Sequence, residues 1–198
     1  MDLTVDALGD KCPVPVVKAK KALATMDEGT LEMLVDNETS VTNLENFGKS
    51  LNCEVSHEQL AAEKYSVKIV KTANSGSVAS AEGSAGVGPR VVVVPSEVMG
   101  HGDEELGNVL IKAFIFALTQ QDELPDSILF YNGGVKLTVE GSPVLDDLNK
   151  LANAGVEILS CGTCLMHFGL QEKLAIGEAT NMYVIVEKQL QAGIVVRP

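Results

Sequence analysis

Basic residues are scarce in this chain. Its 198 residues hold 15 Lys and Arg against 27 Asp and Glu, a net charge of −12. Phosphate contacts need clustered cations, so this balance excludes a general nucleic-acid-binding surface. Long hydrophobic runs are missing too. Although 45% of the residues are apolar, no run approaches the roughly 20 residues that a membrane span requires, and no membrane partner is expected. The opening MDLTVDALGD carries acids and no basic n-region, so no secretory signal is expected and a cytoplasmic protein is the default. Cysteine is rare. Cys12, Cys53, Cys161 and Cys164 are too few and too scattered for a disulfide framework. No Walker-type or GxGxxG phosphate loop occurs, and GVGPR is more simply the end of a linker. No Ser-His-Asp arrangement can be defended.

What is present divides the chain. Residues 72–89, TANSGSVASAEGSAGVGP, are almost only Gly, Ala, Ser and small polar residues. Such a composition buries too little apolar surface to stay ordered and reads as a flexible linker. It separates an N-terminal domain, 1–71, from a C-terminal domain, 90–198, each of ordinary domain size.

In the first of these, LTVDAL alternates as a strand. A helix follows whose Val16, Ala19, Leu23 and Met26 form an apolar stripe at helical spacing. TLEMLVD reads as a second strand. Thr39 or Ser40 is the expected cap of a second helix, with Val41, Leu44, Phe47, Gly48 and Leu51 facing inward. Two strands close the unit, near Cys53–His57 and at YSVKIVKT. The order β-α-β-α-β-β predicts a two-layer sandwich, a small sheet with both helices on one face.

The second domain opens with RVVVVP, a β-branched run suited to a strand buried on both faces. A helix over DEELGNVLIKAFIFALTQQ, strand SILFYN, loop GGVKLTVEG, helix PVLDDLNKLANAG and strand VEILS follow. The segment after SCGTC reads as helical through MHFGLQEKLAI. A last helix, MYVIVEKQLQ, is capped by Asn181 and stopped by Gly193, and IVVR ends as a strand. Strands alternating with helices predict a doubly wound, mostly parallel sheet, whose ligand and catalytic groups gather at the carboxyl ends of strands. NGGVK (Asn132, Gly133, Gly134) and CGTC (Cys161–Cys164) both fall at such ends.

The thiols differ in setting. Cys12 stands before Pro13, Val14 and Pro15 at a helix start. Prolines are tolerated in a first turn, whose amides lack intrahelical partners, and the positive end of the helix dipole stabilises a thiolate. Lys11, Lys18, Lys20 and Lys21, with no acid among residues 11–21, read either as a solvated face or as a positive patch that favours this thiolate and greets an acidic partner. Cys53, in LNCEV, reads as buried. Cys161 and Cys164 leave a strand and enter a helix, a context expected to lower thiol pKa values. Three readings of this pair stand. It is a structural coincidence, a zinc site extended by His167, or a thiol centre for persulfide handling or dithiol redox. Zinc lacks a fourth ligand, since His57 and His101 are distant and isolated, so no metal is expected. His101 itself reads as a loop residue near the strand ends. A thioredoxin would carry its CxxC early and behind an aromatic, whereas Ser160 precedes this late pair.

With DALGDKCPVPVVKAKKAL, residues 1–71 resemble the TusA/SirA sulfur-carrier family, whose CPxP motif opens the first helix of such a sandwich. Residues 90–198 resemble the DsrE-like family, of flavodoxin-like α/β fold and also associated with sulfur relay. Their fusion, with YNGGVKL and SCGTCL, is similar to YedF-type sulfurtransferase-like proteins, a group linked by association to selenium metabolism. The resemblance implies that Cys12 takes sulfane sulfur as a persulfide, with no cofactor besides that covalent group. A cysteine desulfurase or other persulfide donor and a downstream sulfur or selenium acceptor are the implied partners. DsrE-like domains often assemble, which makes a homo-oligomer through the C-terminal domain an expectation, and the apolar AFIFAL helix is either its interface or a core helix. DsrE-like proteins commonly use one cysteine, so the CxxC departs from the pattern and leaves the attacking sulfur open between Cys161 and Cys164. Three functions follow: a relay from Cys12 to the CGTC thiols, a dithiol–disulfide oxidoreductase on Cys161 and Cys164, or a redox- or metal-responsive binding module.

Overall fold

The structure, a computed structural model, describes residues 2–11, 13–73, 75 and 88–198. The chain divides into two compact units, Met1–Gly83 and Ser84–Pro198. Most of the glycine-, alanine- and serine-rich stretch 72–89, expected as a linker, lies outside the described residues, as does Cys12.

In the first unit, strand β1 (Leu3–Asp6) runs to helix α1 (Val14–Ala24), β2 (Gly29–Val35), α2 (Glu38–Ser50) and a hairpin of β3 (Glu54–Ala61) and β4 (Lys64–Lys71). The sheet order is β1-β2-β4-β3, with β1 and β2 parallel and the other pairs antiparallel. Alternation along β2 sends Leu31, Met33 and Val35 into a core shared with Val67 and Ile69 of β4 and with Ala19, Leu23, Val41 and Leu44 of the helices. Each large side chain buried there stabilises the fold by about 1.5–3 kcal/mol. The outward positions are polar: the Ser66 hydroxyl donates to Glu32 at 2.6 Å. At the end of α1, Lys71 Nζ donates to the carbonyls of Leu23 (2.9 Å) and Met26 (2.6 Å), partnering groups that a helix end otherwise leaves open. Gly48 lets α2 lie against the sheet, because a Cβ there would stand 2.5 Å from Val55.

The cap of α2 differs from expectation. It is Asn37, in extended conformation, whose side chain accepts the Ser40 N–H at 2.8 Å. Asn caps as well as Ser does, so the helix starts before Thr39, and Ser40 is buried in its first turn.

The second unit comprises β5 (Arg90–Val94), α3 (Glu104–Leu118), β6 (Ser127–Phe130), α4 (Leu145–Asn153), β7 (Glu157–Cys161), α5 (Gly162–His167), β8 (Glu178–Thr180), α6 (Met182–Gln191) and β9 (Ile194–Val196). Its five strands are all parallel, in the order β8-β7-β6-β5-β9. Every residue of β6 is buried, as a strand covered on both faces requires. The order corrects the flavodoxin expectation. Numbered within the unit it is 4-3-2-1-5, whereas flavodoxin runs 2-1-3-4-5. Right-handed crossovers put the stepwise helices α3, α4 and α5 on one face and α6, which returns across the sheet, on the other.

Two local readings also change. The helix after CGTC stops at His167 rather than running through residue 176. Gly169, at φ 66°, ends it in a Schellman motif, with the Leu170 N–H on the Leu165 carbonyl (2.8 Å) and the Gly169 N–H on the Met166 carbonyl (3.0 Å). The residues beyond form a single 3₁₀ turn and the short edge strand β8. GGVKL, read as loop, is part of a 3₁₀ helix over Asn132–Leu137. No described helix is long and apolar enough to cross a membrane.

Candidate functional site

Helix α1 opens on Pro13 as N-cap, with Pro15 at N2, where the ring costs no hydrogen bond. Pro15 is buried, and the Val14 N–H donates to the Lys11 carbonyl at 2.9 Å. The chain before it is pinned. Asp6 accepts the Leu8 N–H (2.9 Å), and Asp36 accepts the Gly9 N–H (2.8 Å). The Asn37 amide and the Gly9 N–H hold the Asp36 carboxyl below its ordinary pKa. Lys18 reaches back to this loop, pairing with Asp10 at 2.5 Å and donating to the Asp6 carbonyl at 3.1 Å. Its charge is therefore tied to an acid outside residues 11–21, so the lysine-rich segment is less positive than its own composition indicates. Lys11 is exposed.

In the second unit the carboxyl ends of β6 and β7 bring NGGVK and CGTC together. Asn132 sits at φ 51°, a left-handed conformation that Asn tolerates, and its N–H donates to Cys164 Sγ at 3.1 Å. Cys161 ends β7, pairs with Thr180 of β8, and is the N-cap of α5. Cys164 follows at N3. The two thiols thus belong to the first turn of one short helix, at N-cap and N3. Their exposure differs: Cys161 is 1% exposed within the core, while Cys164 is partly exposed. Burial pushes the Cys164 thiol above its ordinary pKa, contact with Cys161 pushes the same way, and the Asn132 N–H opposes both. That reverses the expected lowering, because desolvation of a thiolate outweighs one amide.

The glycines of NGGVK serve packing. A Cβ at Gly134 would lie 2.0 Å from the Val94 carbonyl oxygen, so only glycine lets the 3₁₀ helix seat against the end of β5; Gly133 is partly buried beside Glu97. Behind Cys161, the Ser160 and Thr138 hydroxyls stand 2.8 Å apart in the core. Thr138 gives its proton to the Val135 carbonyl, so Ser160 is the donor between them. Three residues the sequence reading passed over complete the surroundings. Lys136 pairs with Glu97 at 2.5 Å and lies 5.1 Å above the ring of Phe168, whose N–H donates to the Cys164 carbonyl. A lysine after a Gly-Gly turn and an aromatic one helical turn past a CxxC were the available signals, and neither has a fixed meaning alone.

The remaining candidates disperse. Cys53 is buried, its thiol 3.8 Å from the Leu51 carbonyl. His57 contacts Glu45, His101 lies exposed in the loop after β5, and His167 is exposed with its ring edge-on to Phe168. Among the described residues no cluster of three His, Cys, Asp or Glu side chains could hold a metal ion.

Comparison with known proteins addresses the first unit most directly. The family model described as Sulfurtransferase TusA matches residues 3–71. A protein of Methanocaldococcus jannaschii, named as a sulfur carrier by inference, is 43% identical over 47 residues, which are 23% of this chain and 63% of that protein. The chain thus spans less than two thirds of that relative's length. The crystal structure of a SirA-like protein from Desulfitobacterium hafniense is 37% identical over 34% of this chain and 95% of its own, with a TM-score of 0.33. A protein of unknown function from Methanobacterium thermoautotrophicum is 22% identical over 56% of this chain and 99% of its own, with a TM-score of 0.43. Residues 3–71, whose sequence carries Cys12-Pro13-Val14-Pro15, are a TusA/SirA-like sulfurtransferase domain.

Proposed function

We propose that the protein is a sulfur carrier, taking sulfane sulfur as a persulfide on Cys12 and relaying it to the thiols Cys161 and Cys164. The family match over residues 3–71 carries this reading, with CPVP at the opening of α1. Cys12 stands in the chain directly before the N-cap Pro13, and the amides of a helix's first turn favour a thiolate or persulfide anion. The resemblance of residues 90–198 to the DsrE-like family supports the second station, and the YedF-type pairing of units supports selenium as an alternative cargo of the same chemistry. Tethering of the two units in one chain would raise the effective concentration of one thiol near the other. The donor is then a cysteine desulfurase or another persulfide, and the final acceptor a downstream sulfur or selenium protein.

The placing of Cys161 and Cys164 at the N-cap and N3 of one helix favours a second reading, a dithiol–disulfide oxidoreductase confined to the C-terminal unit. Incubation with a cysteine desulfurase and cysteine, followed by peptide mass spectrometry of wild type and Cys12→Ser, separates the two. A carrier gains sulfur on the Cys12 peptide and loses C-terminal loading in Cys12→Ser. An oxidoreductase keeps full turnover in Cys12→Ser, and no added sulfur anywhere sinks the carrier.

A further inference from the structure

The two thiols of CGTC have unequal access and unequal support. Cys161 closes the buried strand β7 and belongs to the core, 1% exposed, so a donor arriving from solvent cannot reach it. Cys164 is partly exposed and packs only at the margin of that core. Access thus runs opposite to chain order. The Asn132 N–H, aimed by a left-handed backbone, donates to Cys164 Sγ at 3.1 Å and stabilises negative charge on that sulfur. Cys161, the N-cap of α5, stands three residues before Cys164 at N3, the spacing of a CxxC pair.

We propose that Cys164 accepts sulfane sulfur from a persulfide or polysulfide and that Cys161 resolves it, releasing hydrosulfide and leaving a Cys161–Cys164 disulfide. In the first step the Cys164 thiolate attacks the outer sulfur of the donor R–S–SH. A bond forms from Sγ to that sulfur, the S–S bond of the donor breaks, and R–SH departs with the proton. In the second step the Cys161 thiolate attacks Cys164 Sγ. The Sγ–Sγ bond forms, the bond from Cys164 Sγ to the outer sulfur breaks, and the outer sulfur leaves as hydrosulfide with the electron pair and the proton given up by Cys161. The sulfane sulfur is reduced by two electrons and the two thiols are oxidised to the disulfide. Geometry selects the sulfur attacked. Cys161 is buried in the core at the N-cap, three residues before Cys164, whereas the outer sulfur arrives at the partly exposed side of Cys164 that a donor can reach. Attack on the outer sulfur would instead move the persulfide to Cys161 and release nothing.

The proposal rests on the reading that the protein handles sulfane sulfur, but not on passage from Cys12. The test therefore uses the full chain carrying Cys12→Ser, so failure of the relay leaves it intact. Protein is mixed without reductant and without oxygen with one equivalent of an organic persulfide, glutathione persulfide, whose leaving group is a thiol and not hydrosulfide. Free hydrosulfide is trapped with a bimane reagent, and peptides are mapped by mass spectrometry. The Cys12→Ser chain should release about one hydrosulfide per Cys161–Cys164 disulfide formed. Adding Cys161→Ala should abolish the disulfide, cut release at least tenfold and leave persulfide on Cys164. Adding Cys164→Ser should abolish both loading and release. Cys161→Ser, the closer isostere, guards against a folding defect in Cys161→Ala and should give the same retained persulfide. Persulfide on Cys161 in the Cys164→Ser protein, or undiminished release without Cys161, would overturn the assignment. So would a lasting Cys164 persulfide with no disulfide when both thiols are present.

Discussion

Cys164 holds its proton at higher pH than a free thiol. Burial and the contact with Cys161 both disfavour its thiolate, and the Asn132 N–H only partly offsets them. Alkylation by iodoacetamide, followed peptide by peptide, should therefore show a Cys164 midpoint above the roughly 8.5 of an unperturbed cysteine. Replacing Cys161 by alanine removes one of the two raising causes and should move that midpoint down. Because the folded value is raised, the associated stability is present below the unfolded thiol's pKa and is lost as pH rises through the folded value. A Cys164 midpoint below that of a free thiol would contradict the assignment of charge in this site. Sequence could place both cysteines at a strand end, since VEILS and the residues after it alternate in type as a buried strand passing to a helix. It could not rank them, because which thiol faces solvent depends on β8 and on the 3₁₀ helix, neither of which announces itself.

At the scale of elements, β8 was illegible for a physical reason. Its residues, Glu178–Thr180, are polar and too few for an alternation to register. Gly177 was the signal. It sits at φ 73°, and a Cβ there would stand 2.2 Å from the Ile158 carbonyl oxygen, backbone that cannot swing away. Gly177→Ala should destabilise the second unit by roughly 2–4 kcal/mol, combining left-handed strain with the steric conflict. The chain has no tryptophan, so hydrogen exchange of peptides from β7 and β8 is the suitable readout, with faster exchange expected in both. Helix α2 offers the complementary case of a cap hidden by its neighbours. Asn37, Thr39 and Ser40 can all cap, and only Asn37 has the extended backbone and the side-chain acceptor in place. Asn37→Ala should cost about 1 kcal/mol in urea denaturation followed by circular dichroism, and Thr39→Ala clearly less. On the sheet's outer face, Glu32 is held below its ordinary pKa, first by the Ser66 hydroxyl. Its stabilising contribution is present above the unfolded carboxyl's pKa and is lost as pH falls through the folded value. Ser66→Ala should make acid unfolding of the first unit set in at higher pH.

For the molecule as a whole, patterns that repeat over many residues were the readable ones. Alternation in LTVD, TLEMLVD and YSVKIVK, with helical periodicity between them, was enough to specify β-α-β-α-β-β, because that sheet is buried on one face only. In the second unit the continuous runs RVVVV and SILF marked strands covered on both faces, and parallel pairing followed. Strand order did not. The final crossover from β8 to β9 spans the sheet, and no local pattern records how far a connection travels. The lysines around CPVP were legible as charge but not as pairs, since the acid that engages Lys18 lies before the motif at Asp10. The functional account joins a TusA/SirA-like unit to a two-thiol site, and it stands or falls on where sulfur first lands and where it goes. The direct measurement is a time course of peptide mass spectra after wild-type protein, at low concentration, meets a cysteine desulfurase and cysteine. Added sulfur should appear first on the Cys12 peptide and then on the Cys164 peptide, with the second signal lost in Cys12→Ser. Sulfur that reaches Cys164 equally fast without Cys12, or never resides on Cys12 at all, would contradict the account.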